Sequence, residues 1–258
     1  MPDSIVIIPT FNEKENIAQI IRKVFSLEGD FHILIIDDNS PDGTASIVKE
    51  LMGENNTRLY LVERSGKLGL GTAYIAGFKW ALEHQYDYIF EMDADFSHDP
   101  HDLIRLRDAC RNQGADLAIG SRYISGINVI NWPLKRVLMS YFASVFVRKI
   151  TGMPIMDTTA GFKCYRNLVL QTIDLENIKM KGYGFQIEMK FKTWKYGFKI
   201  MEIPIIFTDR KEGTSKMSGG IFGEAFKGVI KMKIQSYFKT YKRESIGEPE
   251  IKKRQLTQ

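Results

Sequence analysis

Two aspartates one residue apart, Asp93 and Asp95, follow a hydrophobic run that ends at Met92. Clustered carboxylates repel each other unless a cation lies between them, and hard oxygen ligands suit Mg²⁺ or Mn²⁺, which also bind diphosphate oxygens. In an open α/β sheet, ligands bind beyond the carboxyl ends of the strands, and strand alternation would send both side chains to one side. The spacing predicts a divalent-cation site, with a capped loop or a solvated rim as the alternative interpretation.

Two earlier hydrophobic runs also end in polar residues. Asp37 and Asp38 close the second run and precede a strong turn signal at residues 39–43. A carboxylate there can accept hydrogen bonds from ribose hydroxyls or base N–H groups, although a turn or a helix cap explains it equally well. The first run ends in residues 9–13, which offer a rigid turn, the ring of Phe11 for stacking and the carboxylate of Glu13. Three predicted strands that all end in such polar residues are unlikely to arise by chance. Together they favour a nucleotide-binding site at this edge of the sheet.

A glycine-rich segment, residues 66–72, begins like a phosphate-binding loop. Thr72 stands where a P-loop has its lysine, and Tyr74 stands where the dinucleotide fingerprint has its third glycine. Both loop types are therefore disfavoured. We expect Lys67 and the glycines to form a flexible turn that enters the next helix, with a donor contact by Lys67 as the alternative.

The elements that must position these residues alternate between strands and helices in the first half of the chain. Short β-branched runs predict strands at residues 4–8, 32–37, 59–62, 88–92 and 117–120. Amphipathic stretches predict helices at residues 13–27, 44–52, 71–83 and 100–112. This alternation is typical of βαβ units, so the predicted fold class is α/β with a mainly parallel central sheet flanked by helices.

The second half of the chain has a different rhythm. After a loop-like stretch at residues 125–133, residues 134–150 predict an apolar-rich helix with basic ends, which would lie either at a membrane interface or in the core. A strand near residues 162–165, a helix near 185–196, a strand near 200–206 and a helix near 221–241 complete the domain. The polar tail from residue 244 has the composition of a disordered segment.

The composition limits the classes of partner. With 258 residues, 44% of them hydrophobic, the chain can bury one full core. Lys and Arg number 36 against 31 Asp and Glu, and the excess lies late, since residues 210–243 hold nine basic residues and two Glu. That bias favours an anionic partner such as lipid headgroups, phosphate or nucleic acid, with a solvated basic surface as the alternative. Nucleic acid is disfavoured because residues 221–241 mix lysines with a long apolar face.

Three further features bear on location. Cys110 and Cys164 are far apart in sequence and among apolar or helical neighbours, so we expect a reducing compartment. The N-terminus runs into a strand pattern without an export signal. The longest apolar stretch, residues 137–147, is about half of the roughly 20 residues that span a bilayer. We therefore expect a cytoplasmic protein that associates peripherally with a membrane.

With these strand ends in place, the chain resembles glycosyltransferase family 2, and within it the dolichyl- and polyprenyl-phosphate mannosyltransferases, which have a GT-A fold. The resemblance runs from residue 5 to about residue 241 and rests on residues 9–13, 37–44, 92–98, 120–123, 157–162 and 209–216. Six motifs in family order are highly specific. The resemblance implies a Rossmann-like GT-A catalytic domain at residues 1–243, followed by the charged tail at residues 244–258.

The resemblance also implies a set of site residues. Those that would bind the nucleotide sugar are Pro9, Phe11, Glu13, Ile36, Asp38, Asp93, Ala94, Asp95, Arg122, Arg210 and Lys216. Asp95, Arg122 and Arg210 would be catalytic, and Asp93 and Asp95 would hold the metal. Arg122 and Arg136 would contact the acceptor phosphate. The chain departs from many relatives at Phe11, where they have tyrosine, and from some at Ser97, where they have glutamine.

The implied activity is metal-dependent, inverting transfer of mannose from GDP-mannose to a polyprenyl or dolichyl phosphate. The chain resembles the short form without transmembrane segments, so surface contacts or a membrane-anchoring subunit would bring it to the membrane. Two alternatives stay open. One is a polyprenyl-phosphate glucosyltransferase or another family 2 transferase that uses a UDP-sugar, and the other is a non-catalytic scaffold subunit.

Overall fold

The computed structural model describes residues 3–54, 57–209 and 220–242, with side chains in the last range described from Phe226 onward. Three sequence predictions fall outside these residues: the roles of Arg210 and Lys216 and the character of the tail at residues 244–258. Asp209 is the described residue at the start of the motif at residues 209–216.

One central sheet organises the fold. Its strands are β1 Ser4–Thr10, β2 Phe31–Asp37, β3 Leu59–Glu63, β4 Tyr88–Glu91, β5 Leu117–Ser121, β7 Lys163–Arg166 and β8 Ile200–Pro204. They lie in the order β3-β2-β1-β4-β7-β5-β8. Strand β7 runs antiparallel to β4 and β5, whereas the other neighbouring pairs are parallel. The predicted α/β class with a mainly parallel sheet is confirmed.

Helices cover both faces of this sheet. Their bounds are α1 Ile17–Phe25, α2 Thr44–Gly53, α3 Leu70–Glu83, α4 Asp102–Arg111, α5 Leu134–Thr151, α6 Asn167–Thr172, α7 Tyr183–Lys195 and α8 Gly220–Gln235. On β1, Ile5 and Ile7 join the core under α3 and α7, while Val6 and Ile8 join the core under α1, α2 and α4. Because both faces are buried, the strands read as continuous hydrophobic runs rather than alternating ones.

Element bounds differ from prediction where local chemistry intervenes. Helix α1 begins at Ile17 instead of residue 13, because the N–H groups of Asn16 and Ile17 both donate to the Glu13 carbonyl in a turn. The strand predicted to residue 206 ends at Pro204. A short strand β9, Phe207–Thr208, then pairs with β6, Val129–Ile130, inside the stretch predicted as loop. Helix α6 and a 3-10 turn at Leu175–Asn177 were not predicted.

Helices α5 and α8 form an outer pair. They pack against each other, with the rings of Phe146 and Phe226 centred 4.0 Å apart. Several large apolar side chains of the pair are exposed: Leu134, Leu138, Met139, Phe142, Phe226, Ile230 and Ile234. Helix α5 is therefore partly core and partly surface. Among the described residues, no helix is both long enough and apolar enough to cross a bilayer.

Candidate active site

A cleft of about 450 Å³ opens at the carboxyl ends of β1, β2, β4 and β5. The structure brings together here most of the residues singled out in the sequence: Pro9, Phe11, Glu13, Asp38, Asp93, Ala94, Asp95, Arg122 and Arg136. The three polar strand ends thus line one cavity, as expected for ligand sites in open α/β sheets.

Ile36 is a predicted nucleotide contact that the structure places elsewhere. Its side chain is fully buried and belongs to the same core cluster as Ile7 and Phe78, outside the lining of the cleft. Ile36 lies on the face of β2 that packs towards α3, and strand alternation turns it away from the opening. The side chain of Ile36 therefore belongs to the core.

Asp37 and Asp38 are neighbours in sequence with different surroundings. Asp37 is fully buried, where it accepts hydrogen bonds from the Thr10 hydroxyl and the Ser40 N–H, both at 2.8 Å. Asp37 therefore has the turn-forming role that was one of the two alternatives. The Asp38 side chain lines the cleft instead.

The loop after β1 is fixed by side chains from the loop after β2. The Asn12 N–H donates to the Ser40 hydroxyl at 3.0 Å, and the Glu13 N–H donates to the Thr44 hydroxyl at 3.0 Å. Asn12 has a φ of +57°, a left-handed conformation that asparagine tolerates better than most residues. These contacts hold Phe11 and Glu13 at the rim of the cleft.

Arg64 is a site residue that the sequence did not reveal. Its Nε donates to Asp38 Oδ1 at 2.6 Å, and its Nη1 donates to the Thr72 hydroxyl at 2.9 Å. The Arg64 and Asp38 side chains are only 10% and 8% exposed. Arg64 therefore joins the carboxylate of β2 to the first turn of α3. It stands in a polar loop after β3 that carries no motif.

The glycine-rich segment forms the predicted turn into a helix. Gly69 precedes α3 with a φ of +105°, a conformation that favours glycine. Lys67 Nζ lies 4.8 Å from the centre of the Phe11 ring, within the range of a cation–π contact. Lys67 and Gly69 both line the cleft. One ring face of Phe11 thus interacts with an ammonium group.

Asp93 and Asp95 both line the cleft, but the strand does not place them there. Strand β4 ends at Glu91, and the loop that follows bends through Phe96, whose φ is +58°. The Ser97 N–H donates to Asp95 Oδ1 at 3.1 Å, and the Tyr74 hydroxyl lies 3.4 Å from Asp93 Oδ1. Loop geometry, rather than strand alternation, brings the two carboxylates to one wall.

This pair fits a hard divalent cation. Both residues line the same cavity and carry carboxylate oxygens. Within the described part of the chain, no cluster of three or more His, Cys, Asp or Glu side chains could hold a metal ion. Mg²⁺ at phosphate-transfer sites is commonly held by one or two carboxylates, with substrate phosphates and water completing its shell. Two aspartates suffice when a diphosphate supplies further oxygens.

His98 forms a neutral wall of the cleft beside this pair. Its ring stacks on Phe162 with centres 4.8 Å apart, and the residue is 3% exposed. Burial lowers the pKa of His98 to about 4, with the Asp95 carboxylate opposing that shift. The imidazole is therefore uncharged at neutral pH and adds no positive charge to the cation site.

A buried polar network lies behind the aspartates. Lys163 Nζ is 2.9 Å from Glu91 Oε1, and both side chains are fully buried. Burial lowers the pKa of Lys163, although the Glu91 carboxylate raises it in part. Gln186 from α7 donates to Glu91 Oε2 at 2.8 Å, contacts Lys163 and lines the cleft. This network, absent from the sequence predictions, joins β4, β7 and α7 beneath the site.

Arg122 enters the cleft already paired. Its Nε and Nη2 donate to the two Asp157 carboxylate oxygens at 2.7 Å each, and Nη2 also donates to the Thr159 hydroxyl at 2.8 Å. Burial alone would lower the pKa of Arg122, but Asp157 raises it above its ordinary value. Burial would likewise raise the pKa of Asp157, and the guanidinium lowers it. The pair is an ionised, buried salt bridge.

The loop that carries Asp157 is held by the half-buried Glu202 and the fully buried Lys190. Glu202 from β8 accepts hydrogen bonds from the Asp157 N–H at 2.9 Å and the Ser121 hydroxyl at 2.7 Å. Lys190 from α7 donates to the carbonyls of Thr158 and Ala160 at 3.1 and 2.6 Å. The orientation of Arg122 therefore depends on β5, β8 and α7 together.

Arg136 lies at the mouth of the cleft. Its guanidinium is centred 4.0 Å from the Trp132 ring, and its Nη1 donates to Asp209 Oδ1 at 2.8 Å. Arg122 and Arg136, the two predicted contacts for the acceptor phosphate, line the same cavity and each has a carboxylate partner. Both retain guanidinium N–H groups for an anion, because a guanidinium has five donors.

A narrow apolar cavity of about 60 Å³ adjoins this end of the cleft, between α5 and α8. Arg122, Trp132 and Arg136 line both spaces. The rest of its wall is mainly apolar and includes Met139, Phe146, Val147, Ile187, Phe226 and Val229. Positive charge thus lies where the cleft and the apolar cavity adjoin.

Two relatives of known name align with most of the chain. The polyprenol monophosphomannose synthase of Mycolicibacterium smegmatis is 47% identical over 222 residues, which cover 86% of this chain and 83% of that protein. The undecaprenyl-phosphate mannosyltransferase of Micrococcus luteus is 44% identical over 227 residues, covering 88% of this chain and 92% of that protein.

Solved structures place the fold among known ones. The glucosyl-3-phosphoglycerate synthase of Mycobacterium tuberculosis, in complex with Mn²⁺, UDP-glucose and phosphoglyceric acid, superposes with a TM-score of 0.65 at 16% identity. The match covers 90% of this chain and 79% of that one. The predicted GT-A type of fold is confirmed. The family model for glycosyl transferase family 2 matches residues 5–173. The chain is an enzyme of the glycosyltransferase class and belongs to glycosyltransferase family 2.

Proposed function

We propose that the chain transfers mannose from GDP-mannose to the phosphate of a polyprenyl lipid, such as dolichyl phosphate, to give polyprenyl-phosphate mannose. The main support is that Arg122 and Arg136 line both the cleft and the apolar cavity between α5 and α8. An acceptor with an anionic head and a hydrocarbon chain requires such a junction. The two named relatives act on polyprenyl phosphates with mannose as the sugar, by their names.

The donor would lie along the polar strand ends. Phe11, Glu13 and Asp38 line the part of the cleft proposed for the nucleoside, and Arg64 holds the Asp38 carboxylate. A divalent cation, Mg²⁺ or Mn²⁺, held by Asp93 and Asp95 would neutralise the diphosphate and stabilise charge on the departing GDP. The solved relative that binds UDP-glucose does so with Mn²⁺. Arg210 and Lys216 would add positive charge to the donor phosphates by family resemblance.

The acceptor needs orientation more than activation. A phosphate monoester has a second pKa near about 6, so it is largely a dianion at neutral pH and requires no general base. One acceptor oxygen would attack the anomeric carbon of mannose while the bond to the GDP oxygen breaks, which inverts that carbon. Arg122 and Arg136 would hold the acceptor phosphate through charge-assisted N–H donors. Asp157 and Asp209 would hold those guanidinium groups in place.

The lipid chain would leave the cleft through the apolar cavity towards the exposed outer side of α5 and α8. Leu138, Phe142 and Ile234 are 43%, 60% and 53% exposed on that side. A helix with exposed apolar side chains can lie in the membrane interface with those side chains in the headgroup region. We propose that the chain associates peripherally with the membrane through this surface. A membrane-anchoring subunit would bind the same surface or add a second attachment to the membrane.

The test is a mass-spectrometric assay. Purified protein with GDP-mannose, Mg²⁺ and a short-chain polyprenyl phosphate should give a mannosyl-phosphoryl lipid. Parallel reactions with UDP-glucose, and with GDP-mannose after EDTA treatment, separate donor choice from metal dependence. A lipid product that forms with UDP-glucose but not with GDP-mannose would overturn the proposed donor. If neither donor gives a lipid product, the proposed acceptor is overturned.

A further inference from the structure

A second large cavity, of about 790 Å³, lies outside the cleft, between α8, the start of α7 and the 3-10 turn. Six lysines line it: Lys179, Lys181, Lys192, Lys227, Lys231 and Lys239. The carboxylates in its wall are Asp174 and Glu188. The lining therefore carries a formal excess of positive charge, and the proposed sugar transfer uses none of these residues.

Both carboxylates of this lysine cavity are already engaged. Glu188 lies 2.9 Å from Lys192 Nζ and accepts the N–H groups of Lys179 and Met180 at 2.9 Å each. Asp174 accepts the side-chain amide of Asn177 at 2.7 Å. This hydrogen bond lowers the pKa of Asp174, with Lys239 contributing further. Both groups thus serve local structure.

The other five lysines are exposed and form no ion pair with a carboxylate among the residues that the structure describes. They come from two separate segments, which close packing brings together. A Cβ at Gly228 of α8 would lie 2.7 Å from Met180 Cε, and one at Gly184 of α7 would lie 2.8 Å from the same atom. The absence of side chains at these glycines lets α8 approach the segment that carries Lys179 and Lys181.

The lysines on α8 stand beside an apolar row. Phe226, Ile230 and Ile234 follow one another at intervals of four and are 41%, 44% and 53% exposed. Lys227 and Lys231 follow one position later along the same helix. Residues four apart lie on one side of a helix, so a basic row adjoins an apolar row along the α8 surface. Tyr237 and Phe238, just after α8, extend the exposed apolar surface at 72% and 88%.

We infer that the lysine cavity binds the phosphate headgroup of an acidic phospholipid. A soluble anion would be satisfied by the lysines alone, whereas a phospholipid also places its acyl chains beside the apolar row. Each lysine near a negatively charged leaflet strengthens binding by roughly fivefold. Phe226 and Val229 of the same helix line the apolar cavity beside the cleft. A headgroup held in the lysine cavity would therefore turn this side of α8 and the apolar cavity towards the bilayer. Donor and acceptor identity play no part in this inference.

Vesicle sedimentation tests this site without any sugar donor. The full chain is mixed with vesicles of pure phosphatidylcholine, or of phosphatidylcholine containing phosphatidylglycerol. Two double variants remove equal charge from the two walls of the cavity: Lys227→Gln with Lys231→Gln, and Lys179→Gln with Lys181→Gln. The matched control is Arg22→Gln with Lys49→Gln, exposed residues of α1 and α2 on the opposite face of the sheet.

The expected result is binding that requires phosphatidylglycerol and that falls on the order of 30-fold in each cavity variant, but not in the control. Equal binding to both vesicle types, or an equal loss in the control, would overturn the inference. A loss confined to the α8 variant would overturn it too, since it would indicate a basic helix surface rather than a cavity. Competition by millimolar inorganic phosphate that abolishes vesicle binding would assign the cavity to a soluble anion instead.

Discussion

Arg122 Nη2 lies 2.7 Å from Asp157 Oδ1, so the guanidinium that faces the cleft is already paired with a fully buried carboxylate. Charge repulsion between the phosphates of two substrates could be relieved by free cations, but free cations would be costly to bury. The Asp157 partner allows Arg122 to stay ionised at 6% exposure while the residue lines the cleft. The stability of the fold and the acceptor binding that we propose therefore depend on the same pair.

Asp157→Asn should destabilise the fold by about 3–5 kcal/mol, because it leaves the buried Arg122 charge without its partner. Urea unfolding measures the change. Glu176→Gln is the control, since it breaks the exposed Lys79–Glu176 pair and should cost about 1 kcal/mol or less. A loss at Asp157 no larger than that of the control would show that the Arg122 pair contributes little to the fold.

Stability should fall as pH drops below the ordinary pKa of histidine, and His32 should contribute to this fall. Burial lowers the pKa of His32 below its ordinary value of 6.5, an effect that Arg58 supports and Asp30 opposes. The folded state then binds fewer protons than the unfolded state, so protonation favours unfolding as pH falls through 6.5. His32 Nδ1 lies 2.7 Å from the Tyr86 hydroxyl, and a protonated ring could not accept that proton.

His32→Gln should therefore flatten the dependence of unfolding free energy on pH between 7.5 and 5.5, as measured by urea titrations. The unsubstituted protein, measured over the same pH range, gives the reference slope. An unchanged slope in the His32 variant would mean that other groups produce the pH dependence.

Arg64→Gln should raise the KM for the nucleotide sugar about tenfold with a smaller effect on kcat. Asp38 loses its 2.6 Å partner, so the carboxylate that we place against the nucleoside is no longer held. Losing a hydrogen bond to a charged group costs roughly 1.5–3 kcal/mol, and part of that appears as weaker ground-state binding. Steady-state kinetics measure both constants. Arg58→Gln, which breaks an exposed pair with Asp30, should leave KM unchanged, and the assignment is wrong if the two variants behave alike.

The sequence predicted the polar ends of β1, β2 and β4 because each follows a hydrophobic run that only a buried strand explains. It did not predict Arg64 or Gln186, because their partners are distant in sequence. Gln186 meets Glu91 only because β7 is inserted antiparallel between β4 and β5 and α7 then crosses behind them. Ile36 was assigned to the site by resemblance, whereas its position on β2 buries its side chain.

Sequence patterns also do not predict how closely α3 packs on β1. The substitution Gly77→Ala tests this close packing. A Cβ at Gly77 would lie 2.6 Å from Ile7 Cγ2, an atom of a fully buried side chain. Overpacking of this kind costs about 1–3 kcal/mol. Gly53→Ala at the end of α2 meets no atom within 4 Å and should be neutral or slightly stabilising. Equal melting temperatures for the two variants would contradict the close approach.

Asp95→Ala should lower kcat by about 10²–10³, equivalent to roughly 2.7–4 kcal/mol, by analogy with deleting one group that stabilises developing charge. The loss of kcat should persist at saturating Mg²⁺. Excess Mg²⁺ can restore occupancy of the site, but it cannot replace the carboxylate that we propose holds the cation in position. Isothermal calorimetry of GDP binding, with and without Mn²⁺, measures the role of Asp95 in binding separately from its role in turnover. The variant should lose the part of GDP binding that depends on Mn²⁺. Asp108→Ala, on α4 away from the cleft, controls for the loss of one carboxylate. Near-normal turnover of Asp95→Ala would exclude Asp95 as a ligand and leave Asp93 as the sole acidic contact of the proposed cation.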